Sequence, residues 1–151
     1  MSESLGSAPF ADDPVSRANA FLTKVGETRY DEWVREDLNA LLAAYRAFHS
    51  NPQNETARVL ADAFQTLQDL GTTFGYPLIS QIGYLAARFL GERFPTTVKE
   101  HDFIHVLVEA MELVISQKMV GGGGAVGEAL MRSIHSGKEK LDGMRTTSEQ
   151  V

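Results

Sequence analysis

Apolar residues in this chain return every three or four positions from Tyr30 to Leu141, and no stretch alternates with period two for long enough to make a strand. Such spacing places apolar groups along one face of a helix and leaves none for a half-buried sheet. The chain is therefore expected to be all-α. Breaks in the pattern divide it into helices of similar length joined by short connections, the signature of antiparallel neighbours in an up-and-down bundle.

The pattern begins with a short helical piece around Val15 to Val25, weakened at Gly26, since an interior glycine costs about 1 kcal/mol relative to alanine. A stronger helix runs from about Glu27 to His49, with Tyr30, Trp33, Val34, Leu38, Leu41, Tyr45 and Phe48 on its stripe. Asn51-Pro52 ends it, because a residue before proline avoids the α region. The next helix, about Glu55 to Thr72, buries Leu60, Ala63, Phe64, Leu67 and Leu70 or Gly71, and Gly75 stops it. Pro77 opens a third helix carrying Leu78, Ile82, Leu85, Ala86 and Phe89.

Thr97 to Glu100 is a Thr-x-x-Glu capping box that starts a fourth helix. This helix has two apolar rows, Phe103/Leu107/Ala110/Val114 and Ile104/Val108/Met111/Ile115. Two rows mean a wide buried face, or a second face that meets a partner and makes the chain a homodimer. Gly121 to Gly124 is expected as a flexible break. A weaker fifth helix follows from Ala125 to about Leu141, with Val126, Leu130, Ile134 and Leu141. The organisation expected is a loose N-terminus over 1–12, a helical domain over 13–142 and a flexible tail over 143–151.

Composition closes several routes. The chain has 151 residues, with 43% apolar and 23% charged, ordinary for one globular domain with a real core. Its formal net charge is −6, and no basic block stands out, which argues against nucleic acid and anionic membrane as partners. There is no cysteine, so thiolate chemistry, disulfides and Cys-ligated zinc are excluded. The acidic, polar start lacks the apolar run of a secretory signal, and the densest apolar run, Phe103 to Ile115, is too short and too interrupted to span a bilayer. A cytoplasmic protein with no cofactor is expected.

One segment carries more specific information. The stretch AFQTLQDLGTTFGYP, Ala63 to Pro77, holds Leu67 in a helix and ends in Thr73-Phe74-Gly75-Tyr76, with Leu78, Ile82 and Leu85 beyond. From Val59 to Leu90 this resembles the histidine-containing phosphotransfer (HPt) family, the helical bundles of two-component phosphorelays. The family motif runs His-x-Leu/Ile-Lys-Gly and closes on Phe/Leu-Gly, with Thr-Phe-Gly-Phe in chemotaxis kinases. The resemblance implies an antiparallel four-helix bundle of HPt type, with the weaker C-terminal helix as an addition. It also implies a receiver domain of a response regulator, or a histidine kinase, as partner.

At the family's reactive position this chain has Gln65, at its lysine Gln68 and at its glycine Asp69. Glutamine has no ring nitrogen that could form a phosphoramidate. Gln68 brings no cation to phosphoryl oxygens. Asp69 fills the space a glycine would clear and adds negative charge. The implied protein is a pseudo-HPt, not an enzyme, whose face of Asp62, Gln65, Gln68, Asp69 and Thr72 docks a partner without accepting phosphate.

Other residues offer alternatives. His101 and His105 lie one turn apart, with Glu109 and Glu112 continuing the same side. Either imidazole could be a displaced phosphoacceptor. As a metal site the pair lacks the glutamate of His-Glu-x-x-His, and a solvated polar face accounts for it better. His49 and His135 read as exposed helix positions. The four glycines lack the Lys-Ser/Thr and preceding strand of a phosphate-binding loop.

Overall fold

Proline at the first helical position, a capping box and a left-handed glycine set most of the helix limits. The computed structural model describes the backbone of residues 14–150 and the side chains of residues 29–144. It contains five helices: α1 (Pro14–Ser50), α2 (Asn54–Phe74), α3 (Pro77–Glu92), α4 (Val98–Ser116) and α5 (Gly124–Gln150). No strand occurs among the described residues. The chain is all-α, as its periodicity requires.

The caps follow local chemistry. At α4, Thr97 Oγ1 accepts the Glu100 backbone N–H at 3.1 Å, and Glu100 Oε1 accepts the Thr97 N–H at 3.0 Å. These bonds satisfy donors that a helix start otherwise leaves unbonded. Gly75 closes α2 at φ 76°, and the Tyr76 N–H returns to the Gly71 carbonyl at 2.8 Å. Pro77 then opens α3 where a missing N–H costs nothing.

Three expectations about helix limits and connections need correction. The two pieces foreseen before His49 form one helix, α1, which runs through Gly26. Ending and restarting a helix strands unbonded groups on both sides, a larger cost than one glycine. Likewise α5 does not stop near Asp142 but continues to Gln150, because no proline or cap interrupts it. The glycines make a tight turn, closed by the Gly123 N–H on the Val120 carbonyl at 2.9 Å, and Gly124 opens α5. Gly121, Gly123 and Gly124 have positive φ, and a Cβ on Gly123 would stand 2.6 Å from Leu78 Cδ1 of α3. The loose segment expected over 1–12 lies outside the described residues.

The chain divides into two compact units, Met1–Trp33 and Val34–Val151. In the first, Tyr30 is buried while Trp33, expected in the core, is 43% exposed at the margin of its stripe. In the second, α2 packs on α3, α3 on α4 and α4 on α5. Its interior is filled by Leu41, Phe48, Leu60, Phe64, Leu67, Ile79, Ile82, Phe89, Ile104, Leu107, Met111 and Ile134. Each such side chain contributes roughly 1.5–3 kcal/mol by leaving water. Both rows of α4 are covered within the chain, with only Ile115 half-buried, so the rows describe a wide buried face. Val126, assigned to the apolar stripe of α5, is exposed.

No helix among the described residues is long and apolar enough to cross a membrane.

Candidate docking face on the second helix

Asp62, Gln65, Asp69 and Thr72 recur at intervals of three and four, so α2 carries them along one stripe. All four are exposed. Opposite them, Leu60, Phe64 and Leu67 are fully buried and fix the rotation of the helix. Gln65 Nε2 donates to Asp69 Oδ1 at 3.1 Å, one turn along the stripe. Thr72 Oγ1 donates to the Gln68 carbonyl at 3.0 Å and lies 2.8 Å from Ser80 Oγ of α3. The hydroxyl pair ties the C-terminal end of the stripe to the neighbouring helix.

Gln68 is placed differently from its four companions. It is half-buried, and its Oε1 is enclosed and accepts no hydrogen bond from the described residues. Its Cβ would lie 2.9 Å from a Cβ on Gly83 of α3. Gly71 makes the reciprocal approach from α2, where a Cβ would stand 2.7 Å from the Ser80 nitrogen. Two glycines thus let the helices meet backbone to backbone, and Gln68 sits in that seam. The five residues that the resemblance groups into one docking face are here split into four that face water and one that faces α3.

The charge pattern is one-sided. From Val59 to Ala87 the chain has no His, Lys or Arg, and its only charged residues are Asp62 and Asp69. Arg58 and Arg88 lie just outside this stretch, which itself holds no imidazole to form a phosphoramidate and no cation to hold a phosphoryl group.

The histidines lie elsewhere. His101 stacks on the Phe48 ring at 5.2 Å with 13° between planes, and His105 on Tyr45 at 5.6 Å and 16°. Both imidazoles of α4 thereby serve as flat packing surfaces for the end of α1. His105 Nδ1 lies 3.7 Å from Glu109 Oε1. Burial, with the carboxylates of Glu109 and Asp102 adding to it, raises the Tyr45 phenol above its ordinary value. His49 and His135 are exposed. Among the described residues no three or more His, Asp or Glu side chains converge as metal ligands would.

Sequence reasoning missed a polar cluster at Arg93, between α3 and α4. Its Nη2 donates to Asp142 Oδ1 at 2.7 Å, and its Nη1 lies 3.5 Å from Glu100 Oε2. The guanidinium carbon sits 4.8 Å from the Phe89 ring centre. A cleft of about 600 Å³ opens beside it, lined by Thr96, Lys99, Leu141 and Met144 among others. Burial raises the Glu100 carboxyl, but bonds from the Thr96 and Thr97 N–H groups, the Thr97 hydroxyl and Arg93 outweigh it and leave the group below its ordinary value. The capping box marked Glu100 as a cap; nothing in the spacing ties Arg93 to Asp142, which is far away in sequence.

No family model matches the chain, and comparison with curated proteins and with solved structures returns no match.

Proposed function

We propose that this protein is a non-catalytic, HPt-like signalling adaptor of the cytoplasm, whose α2 stripe docks a receiver domain or a histidine kinase without accepting phosphate. In this reading the part of α1 from Val34 on, with α2, α3 and α4, forms the four-helix bundle of HPt type, and α5 is the additional C-terminal helix. The observation that carries it is the combination at Gln65: an exposed position midway along α2, in a hairpin that has no imidazole and no cation from Val59 to Ala87. The seam around Gly71 and Gly83 keeps that surface rigid, which lowers the entropy lost on docking. Asp62, Gln65, Asp69 and Thr72 supply polar contacts; Gln68 supports the seam behind them. Bound there, the protein would compete with a true phosphotransfer protein or hold a regulator in one state.

The test is receiver binding by calorimetry with the native protein and with Gln65→Arg. Arginine at the centre of the stripe should weaken binding at least about tenfold, because central contacts dominate an interface. Failure of every receiver encoded near this protein to bind, or equal binding by the variant, overturns the reading.

A further inference from the structure

With both interior rows of α4 buried, a third side of that helix still shows apolar side chains to water. Val106 is 43% exposed and Leu113 40%, and Met144 of α5 is 42% exposed along the same helix pair. They belong to two open clefts between α4 and α5, of about 570 and 260 Å³. Val106 lines both clefts, so the two form one groove with Val106 at its middle. The helices run antiparallel, since Leu130 shares the first cleft with Leu113, while Leu141 and Met144 share the second with Lys99.

The groove has opposite charges at its ends. Glu109 and Glu112 line the cleft that contains Leu113. Lys99 and Lys140 line the cleft that contains Met144, and Asp102 offsets one of them. A surface with an apolar centre, an acidic end and a basic end is complementary to its own copy turned through a half rotation. Closed two-fold contacts are built in this way, with one patch used twice.

We infer that the α4–α5 groove is the contact surface of a two-fold homodimer of this chain. The axis passes near Val106. Leu113 of each copy meets the Met144 end of the other, and the carboxylates of Glu109 and Glu112 meet the partner's lysine end. Apolar contact at the centre supplies the affinity, and the charged ends set the direction of pairing. This surface lies on different helices from the α2 stripe and does not depend on what that stripe binds.

Sedimentation equilibrium tests it. The native protein should dimerise at low salt, with a dissociation constant that rises as salt screens the ends. Val106→Glu should raise that constant at least about tenfold, as expected for a central contact. A chain with Glu109→Lys and Glu112→Lys should be monomeric, and so should one with Lys99→Glu and Lys140→Glu. An equal mixture of the two should pair, because two basic ends then face two acidic ends. Circular dichroism verifies that each variant is folded, and the exposed single changes Glu112→Lys and Lys140→Glu replace any double variant that is not. A native protein that stays monomeric at high concentration in low salt overturns the proposal. So does a dimer unaffected by Val106→Glu, or a mixture of folded charge-reversed chains that fails to pair.

Discussion

Gly83 of α3 faces the α2 backbone so closely that a Cβ there would stand 2.7 Å from the Phe64 carbonyl oxygen and 2.9 Å from Gln68 Cβ. Alanine is the better helix former by about 1 kcal/mol, and in an open position Gly→Ala would stabilise. Here the atoms in the way are backbone and cannot swing aside. Gly83→Ala should therefore destabilise the protein by about 2 kcal/mol net, within the range for overpacking a filled interior. Urea denaturation monitored by circular dichroism gives the value.

Gly75 is needed for a different reason. Nothing lies within 4 Å of a Cβ placed there, but its φ of 76° is left-handed. An L side chain in that region costs about 1–2 kcal/mol. Gly75→Ala should lose about 1 kcal/mol, while Gly75→Asn should lose less, because asparagine tolerates the left-handed region. The same pair of substitutions at Gly83 should show the reverse order of tolerance, since asparagine is larger. Thermal denaturation of the four variants separates strain in the backbone from lack of space.

These two glycines also show where sequence reading reached its limit. Gly75 was legible as a helix stop because it stands between two apolar patterns and precedes Tyr76-Pro77. Gly83 was not, because a glycine inside a helical pattern says nothing about which backbone approaches it. The apolar rows of α4 and the Thr97–Glu100 box were likewise legible, being local. The resemblance puts Gln68 on the docking face, and only the contact with α3 shows it half-buried in the seam. Arg93 and Asp142 form their ion pair across a separation that no local pattern encodes. That Gln65 carries no nucleophilic ring nitrogen could be read directly, since it depends on side-chain chemistry and not on packing.

Arg93 makes stability depend on pH in a predictable direction. Its partner Glu100 is buried, and its carboxyl is held below the ordinary value of 4.5; burial opposes this, and the Thr96, Thr97 and Arg93 bonds prevail. Asp142 is also lowered, with burial again opposed by Arg93 and Lys138. A carboxyl lowered on folding adds stability that is complete above its unfolded value and is lost as pH falls through the folded one. The protein should lose stability steadily below about pH 4.5. Glu100→Gln keeps an oxygen for the capping bonds but cannot ionise, so its stability should fall less over that interval. Arg93→Met leaves Glu100 buried without its cation and should cost about 3 kcal/mol at neutral pH. Asp142 is 45% exposed, so water screens its half of the network, and Asp142→Asn should cost under about 1 kcal/mol. Urea denaturation across a pH series checks all four statements.

Gln68 carries an oxygen that is enclosed and takes no hydrogen bond from the described residues. An unsatisfied buried acceptor costs about 1–3 kcal/mol. Methionine matches glutamine in length and adapts its shape to irregular gaps. Gln68→Met should thus raise stability by about 1 kcal/mol, measured as a higher urea midpoint with an unchanged slope. It should leave partner binding by the α2 stripe nearly unchanged if Gln68 acts only behind that stripe. A loss of binding equal to that of Gln65→Arg would place Gln68 in the contact itself.

Building the HPt motif into α2 is the most demanding test of the proposed geometry. The variant combines Gln65→His, Gln68→Lys and Asp69→Gly. The first change puts an imidazole at an exposed position whose hydrogen-bond partner, Asp69, is removed by the third. The glycine weakens α2 by about 1 kcal/mol, a loss the buried row beneath it should absorb without unfolding. The lysine is the critical element, because residue 68 lies in the seam beside Gly83. Its four-carbon stem can run along the seam and bring the ammonium to water, as long cationic side chains do at apolar edges. From there it reaches toward the phosphoryl group on the neighbouring turn. The expected outcome is a folded variant that gains acid-labile phosphate from a phosphorylated receiver, while the native protein gains none. Restoring only the first and third changes should give much weaker labelling, since the phosphoryl oxygens then lack their cation. No label on the folded triple variant would mean that α2 does not have the HPt geometry.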